Sequence, residues 1–459
     1  MRIGHKHILI FGVAIVLASF NVGKTAAQYG EVAPPPVELA TGFETISSAQ
    51  AEEWLGLLAG PQFEGRGTGQ VGYNKAAHWV AGKLAEFGLE PVGDGETYFQ
   101  MMPITRRLPE IDQCRILGPG NTVIEGAGNL GIERYVDQGE VRGQAVFISF
   151  VGARPELAED LDLREKIIIY TADEAAAPSV PRLLARQRPV ATLRLIESAP
   201  VSAPQTLFPG RRSRSTSVSG TLRRAEGLRL ATACGAPEGW DGAGQVFQSG
   251  QDVTLSLQLR EQPAGAPNVI AWLEGSDPEL KHEYVVIGAH LDHLGFSGDQ
   301  LFPGADDNGS GSVAVLSIAR AMAANPIKPK RSVLFMWFTA EEVGLLGSRY
   351  YTDNPILPLE NMTCMFNIDM VGRNEDQGEG DANADNEGHI HLVGSQRGET
   401  KLHDLILDVN KHVGFEFEMD MESVWNRSDQ VNFYNHGVPV AFMFGGFHPD
   451  YHQPTDKPE

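Results

Sequence analysis

Two adjacent carboxylates, Glu341 and Glu342, follow the run Ser332–Phe338, whose composition reads as a buried strand. Neighbouring carboxylates near an apolar core repel each other unless a positive group sits between or beside them. A metal ion would meet that need. Other metal-type side chains stand at comparable places: His290 after "YVVIGA", Asp369 inside "NIDM", and His452 in "DYHQPTD" beyond "VPVAFMF". The turn "GADDNGSG", Gly304 to Gly311, adds Asp306 and Asp307 where the chain must bend sharply before a helix. Any one of these residues alone is more often a cap or a solvated side chain than a ligand. A set of strand-end residues that is all His, Asp and Glu is not a chance assortment.

The elements that must bring them together are legible in the same region. From Asn268 onward the runs "NVIAWLEG", "YVVIGAHLD", "SVLFMWFTA", "TCMFNIDM" and "VPVAFMFGG" alternate with helical patterns, of which "GSVAVLSIARAMAA" is the clearest. That alternation predicts a wound α/β domain. In open α/β sheets ligands bind outside the carboxyl ends of the strands, so these side chains are expected to converge there. Upstream, "AQAEEWLGLLAG" and "GYNKAAHWVAGKLAEFGLE" show apolar residues at helical spacing, with "FEGRGTG" as the loop between them. From about Glu133 to about Gln248 the pattern changes to short β-like runs separated by Pro, Gly and charged turns. This middle portion reads as a small domain inserted into a larger one.

Length and composition set bounds on function. A chain of 459 residues with a 42% hydrophobic share is globular and too long for one ordinary core. Its formal charge of -22 argues against a general nucleic-acid or anionic-membrane binder. Arg2, His5 and Lys6, the apolar run Ile8 to Phe20 and the small residues ending near Ala27 have the shape of an export signal over residues 1–27; a retained membrane anchor is the alternative. No later segment is long and apolar enough to cross a bilayer, so no integral membrane segment is expected after signal removal. Cys114, Cys234 and Cys364 allow at most one internal disulfide, and Cys364 is expected as a buried free thiol. The acidic, Gly-rich stretch Asn374 to Gly388 is expected as an exposed loop, and the basic run Arg211 to Ser215 as a solvated one.

In this order, "GAHLDHLG", "GADDNGSG", "FTAEEVGLLGS", "NIDMVG" and "DYHQPTD" resemble the co-catalytic di-zinc exopeptidase family. That family includes secreted bacterial aminopeptidases, glutamate carboxypeptidase II and the enzymatically silent transferrin receptor. The resemblance implies a three-layer α/β/α sandwich around a mixed β-sheet, with an inserted, mainly-β, protease-associated-like domain. It implies two Zn²⁺ per chain, one held by His290 and Asp369, the other by Glu342 and His452, with Asp307 rather than Asp306 bridging them. It also implies a cis peptide between Asp307 and Asn308. The charges agree with the ligand set: +4 from two Zn²⁺ balances Asp307, Glu342, Asp369 and one bridging hydroxide, and neutrality removes most of the cost of burial. Glu341, left unligated, is the expected general base. Asp292, two residues beyond His290, is expected to accept the His290 ring N–H, a solvated carboxylate being the alternative.

Arg427, Ser428 and Asp429 in "WNRSDQVNFYNHGVPV" match a family segment at the substrate end of the cleft, a structural turn being the alternative. In "FEGRG", Glu64 and Arg66 are expected to form a structural ion pair. Relatives usually run on past the last histidine motif with a helix that covers the sheet, and the sequence stops at Glu459, so either a truncated chain or a cover from elsewhere is expected. The expected layout is residues 28–132 and 249–459 in the peptidase domain and 133–248 in the inserted one. The expected function is an exported aminopeptidase acting on peptide substrates. A carboxypeptidase of the same family is the first alternative, with a receptor-like or glutaminyl-cyclase-like relative behind it.

Overall fold

The computed structural model describes residues 32–458 apart from 136–138, 159, 178, 203–204, 211–216, 239, 241–245, 298–299, 374, 376–387 and 398–399. The expected signal segment, the basic run and nearly all of the acidic stretch lie outside the described residues. The chain forms two compact units, one of Met1–Met102 with Gly265–Glu459, the other of Pro103–Ala264.

In the first unit the strands are β1 (Phe99–Pro109), β2 (Leu259–Leu273), β3 (Tyr284–His290), β4 (Ser332–Phe338), β5 (Met362–Asp369), β6 (His389–Val393), β7 (Glu416–Glu418) and β8 (Val440–Phe444). Both chain crossings between the units fall inside strands, β1 and β2. The sheet runs in the order β7-β6-β8-β5-β3-β4-β2-β1. Strand β3 lies parallel to β4 and β5, and β5 parallel to β8, whereas β2 runs antiparallel to β4 and β6 antiparallel to β8. The sheet is mixed, with a parallel centre.

Helices cover both faces, for a reason visible in the strands. Successive side chains of a strand point to opposite faces, and here both sets are apolar. Val285, Ile287, Val333, Phe335, Trp337, Phe366 and Ile368 pack with α1 (Ser48–Leu58), α2 (Val71–Glu86) and α3 (Gly311–Ala324). On the other face Val286, Leu334, Met336, Phe338 and Met365 pack with Tyr351 of α4 (Leu346–Asp353) and Phe433 of α5 (Gln430–Asn435). The result is the expected three-layer sandwich. Ser47 caps α1 by accepting the Gln50 N–H at 3.1 Å. Helix α3 is buried over most of its circumference, which accounts for a sequence rich in Ala, Val and Ser with a single charge.

The second unit is built on an eight-stranded sheet ordered Val123–Glu125, Arg115–Leu117, Phe247–Leu257, Gly139–Phe150, Ile167–Ala172, Ala191–Ile196, Val218–Arg223 and Leu130–Arg134. Helix Arg224–Ala233 packs on one face and Val180–Arg186 on the other, each over its own apolar cluster. The expected span 133–248 lies wholly inside this unit, whose edges fall further out at Pro103 and Ala264. The strands Arg115–Leu117 and Val123–Glu125 are only three residues long and Gly-flanked, so they resemble loop in sequence. Strand Phe247–Leu257 straddles the expected boundary at 248, and its ladder with Gly139–Phe150 keeps it in this sheet. The three cysteines are free and buried.

Candidate metal centre

The four parallel strands deliver their carboxyl ends to one edge of the sheet. His290 ends β3 in register with Phe338, the last residue of β4, and Asp369 ends β5 in register with Phe444, the last of β8. The turns leaving these strands therefore meet at one place.

His290 Nε2 lies 3.2 Å from Asp369 Oδ1 and 3.3 Å from Asp307 Oδ1. On the other side, His452 Nε2 lies 3.0 Å from Asp307 Oδ2 and 3.1 Å from Glu342 Oε2. The Asp307 carboxylate thus spans two donor groups, one oxygen to each. A tetrahedral ion with bonds of roughly 2.0–2.1 Å places its donors about 3.3 Å apart, which is the spacing seen here. Asp306 points elsewhere, Oδ1 accepting the Gly372 N–H at 2.7 Å and Oδ2 lying 3.1 Å from His448 Nε2. The Asp307–Asn308 peptide is cis. Asn308 supports the turn by donating to Ile368 O at 2.9 Å and accepting the Gly311 N–H at 2.9 Å.

Glu341 stands beside the first group with Oε2 3.9 Å from His290 Nε2. Burial pushes its carboxyl well above the usual range, the His290 charge opposing and the neighbouring carboxylates reinforcing the shift. Asp307 goes the other way: against the effect of burial, His290 and His452 hold it well below. His452 reaches about 10, burial being outweighed by hydrogen bonds to Asp307 and Glu342. These shifts describe histidines taking a cation's place between carboxylates. The donor set, mixed His and carboxylate and buried except at His452, fits a pair of divalent ions.

Asp292 differs from expectation. The His290 Nδ1–H is directed to the main-chain oxygen of Asp292 at 3.0 Å, with the carboxylate at 3.9 Å. That carboxylate instead accepts the Glu341 N–H at 3.0 Å, the Glu342 N–H at 3.4 Å and the Thr68 hydroxyl at 2.9 Å. Strand β3 ends at His290, and the side chain of Asp292 beyond it faces the glutamate pair. It fixes the main chain of Glu341 and Glu342, a positioning contact.

The substrate-binding expectations divide. Ser428 is buried and donates its hydroxyl to Asp369 Oδ2 at 2.7 Å, while accepting from Asn367 Nδ2 at 2.8 Å. Asp429 is also fully buried, neither oxygen has an aligned hydrogen-bond donor, and burial pushes its carboxyl to about 7. Both lie buried at the start of α5. Arg427 alone is exposed; it donates to Tyr451 Oη at 3.0 Å and lies 5.0 Å over the Phe447 ring. Tyr451 in turn stacks on His452 at 3.9 Å between ring centroids.

Three contributors escape a strand-end reading. Arg66 is fully buried and donates to the main-chain oxygens of Leu58 (2.6 Å), Leu291 (2.8 Å), Pro303 (2.9 Å) and Gly304 (2.6 Å). The expected partner Glu64 bonds Lys75 at 2.8 Å instead. Left-handed backbone at Glu64, Gly65 and Arg66 sends the two side chains apart. Asp456 accepts the N–H groups of Asp306 at 2.9 Å and Asp307 at 3.1 Å. His293 reaches Glu342, and its signal was present in "HLDH", one residue past Asp292. Among the described residues, Glu375, His391 and Glu418 form a further His and carboxylate grouping at the sheet edge, where the histidine already bonds acids.

Residues 268–459 match the profile of Peptidase family M28. Over 204 residues the chain is 31% identical to leupeptin-inactivating enzyme 1 of Streptomyces exfoliatus, covering 44% of this chain and 41% of that one. It is 34% identical over 158 residues to leucine aminopeptidase 2 of Trichophyton equinum, covering 34% and 30% respectively. The chain thus spans less than half the length of these curated relatives. Among solved structures, an aminopeptidase from Aneurinibacillus sp. strain AM-1 aligns over 92% of this chain and 90% of its own, with 18% identity and a TM-score of 0.49. The matched stretch 268–459 carries His290, Asp307, Glu341, Glu342, Asp369 and His452.

Proposed function

We propose that the protein is an exported two-zinc aminopeptidase that removes single residues from the N-terminus of peptides, with the unit Pro103–Ala264 acting as a protease-associated-type insertion. His290 and Asp369 would hold one Zn²⁺, Glu342 and His452 the other, and Asp307 both. Bound zinc lowers the pKa of water to about 7 and polarises a carbonyl oxygen. Glu341 takes the proton of the attacking water and returns it to the nitrogen of the leaving amine as the C–N bond breaks. Asp292 fixes Glu341 through its main-chain N–H, and Ser428 orients Asp369.

The observation that favours the amino end is the state of the nearby arginines. A carboxypeptidase needs a free cation for the terminal carboxylate. Arg373 is paired with Asp450 at 2.7 Å, and Arg427 is bonded to Tyr451 and stacked on Phe447. Glu341 and Asp369, by contrast, each keep 10% of their side chain exposed beside the donor groups, a setting suited to a terminal ammonium. One peptide, prepared with a free and with an acetylated N-terminus, tests this. The free form is expected to shorten stepwise while the acetylated form survives. Equal loss from both, or trimming from the C-terminus, would overturn the aminopeptidase reading and leave a two-zinc hydrolase standing.

A further inference from the structure

His293 lies outside the ligand set given above, yet its side chain is completely buried and its Nδ1 stands 2.6 Å from Glu342 Oε1. Neither ring nitrogen has an aligned hydrogen-bond partner, and neither does Glu342 Oε1. Two buried polar groups left unsatisfied at contact distance are costly, of order 1–3 kcal/mol each. A group so placed points to a position set by something more than packing. The separation decides between two roles. Donors sharing one tetrahedral ion stand about 3.3 Å apart, whereas 2.6 Å is slightly under the roughly 2.7–2.9 Å of a charge-assisted N–H···O hydrogen bond and far too short for two ligands. His293 is therefore too close to Glu342 Oε1 to share an ion with that oxygen, and it lies 3.8 Å from Asp307 Oδ2.

We infer that His293 is the positioning residue for the second ion: with that ion held, its Nδ1–H would turn onto Glu342 Oε1, 2.6 Å away, and leave Oε2 to face His452. The inference rests on the two-zinc reading above. The rest of the local structure supports a fixed ring. The His293 N–H donates to Arg66 O at 3.3 Å. Gly304, at φ +61°, packs so close that a Cβ there would lie 2.3 Å from His293 Cγ. Only glycine lets the ring approach the turn that carries Asp307. The ring also lies edge-on to His452, 5.8 Å between centroids. With Oε1 held, Glu342 would offer one oxygen, Oε2, to the ion.

The test is metal retention, read by elemental analysis after dialysis against a graded series of chelator concentrations, with thermal unfolding as a check on the fold. In His293→Ala one of the two zinc ions should be released at roughly 10- to 100-fold lower chelator strength, the other as in wild type. His293→Asn, whose amide nitrogen takes the place of Nδ1, should restore most of that affinity, whereas a merely space-filling ring would not be replaced by an amide. Unchanged release of both ions from His293→Ala would overturn the inference, and so would parallel loss of both. A wild-type protein that holds no zinc would instead overturn the two-zinc reading, so the two failures are distinguishable.

Discussion

Glu341→Gln should lower turnover by about two to four orders of magnitude while the protein keeps its metal, its fold and its affinity for substrate. The amide has the shape of the carboxylate but cannot accept the water's proton. Several features of the site make this the largest expected single effect. Glu341 sits 3.9 Å from His290 Nε2, near the donor groups and not among the shortest contacts that define them. Its main-chain N–H is fixed by Asp292 at 3.0 Å, so the substitution leaves the turn intact. Steady-state kinetics on the best peptide substrate, with zinc measured on the same samples, gives the answer. Loss of zinc from the variant would show that Glu341 and Glu342 have exchanged roles.

Arg66→Met should destabilise the first unit by about 3–5 kcal/mol. Methionine fills much of the same space and removes every donor. The buried carbonyls of Leu58, Leu291, Pro303 and Gly304 would then lose a charged partner together. Two of them flank the ligands, Leu291 following His290 and Gly304 preceding Asp307, so zinc retention should fall as well. Burial already pulls the guanidinium down to about 10, with Asp456 and Asp307 opposing the shift, so its charge is used inside the protein. Glu64→Gln is the matched comparison. Its partner Lys75 is about half exposed, and a surface pair of this kind contributes ~0–1 kcal/mol. Urea unfolding of the two variants should separate them clearly; equal and small effects would contradict the assignment of Arg66 as the clamp.

The two substitutions also mark what could be read from sequence. The strands were legible because Tyr284–His290 and Ser332–Phe338 are continuous runs suited to burial on both faces, a pattern a parallel central sheet requires. His290 and the pair Glu341 and Glu342 were legible because they sit at or just beyond the ends of those runs. Residues that act through the main chain were not. Arg66, Asp292 and Asp456 each hold a turn by bonding peptide groups far away in sequence, and no spacing rule connects Arg66 to Gly304. His293 was not legible for a different reason: it lies three residues beyond the end of the strand, where a strand-end reading stops, and still reaches Glu342. Ser428 and Asp429 were placed at the right end of the sheet but on the wrong side of Asp369, since α5 is too short to announce which way its first turn faces. The N-terminal edge of the second unit lies further out than expected because three-residue strands carry almost no periodicity.

Everything proposed for the site depends on two ions shared across Asp307, whose oxygens face His290 and His452 at 3.3 and 3.0 Å. Elemental analysis of purified, active protein is the most direct measurement of that claim. About two zinc ions per chain, with activity lost to a chelator and regained on adding zinc, is the predicted result. An active preparation holding no more than trace metal would contradict it.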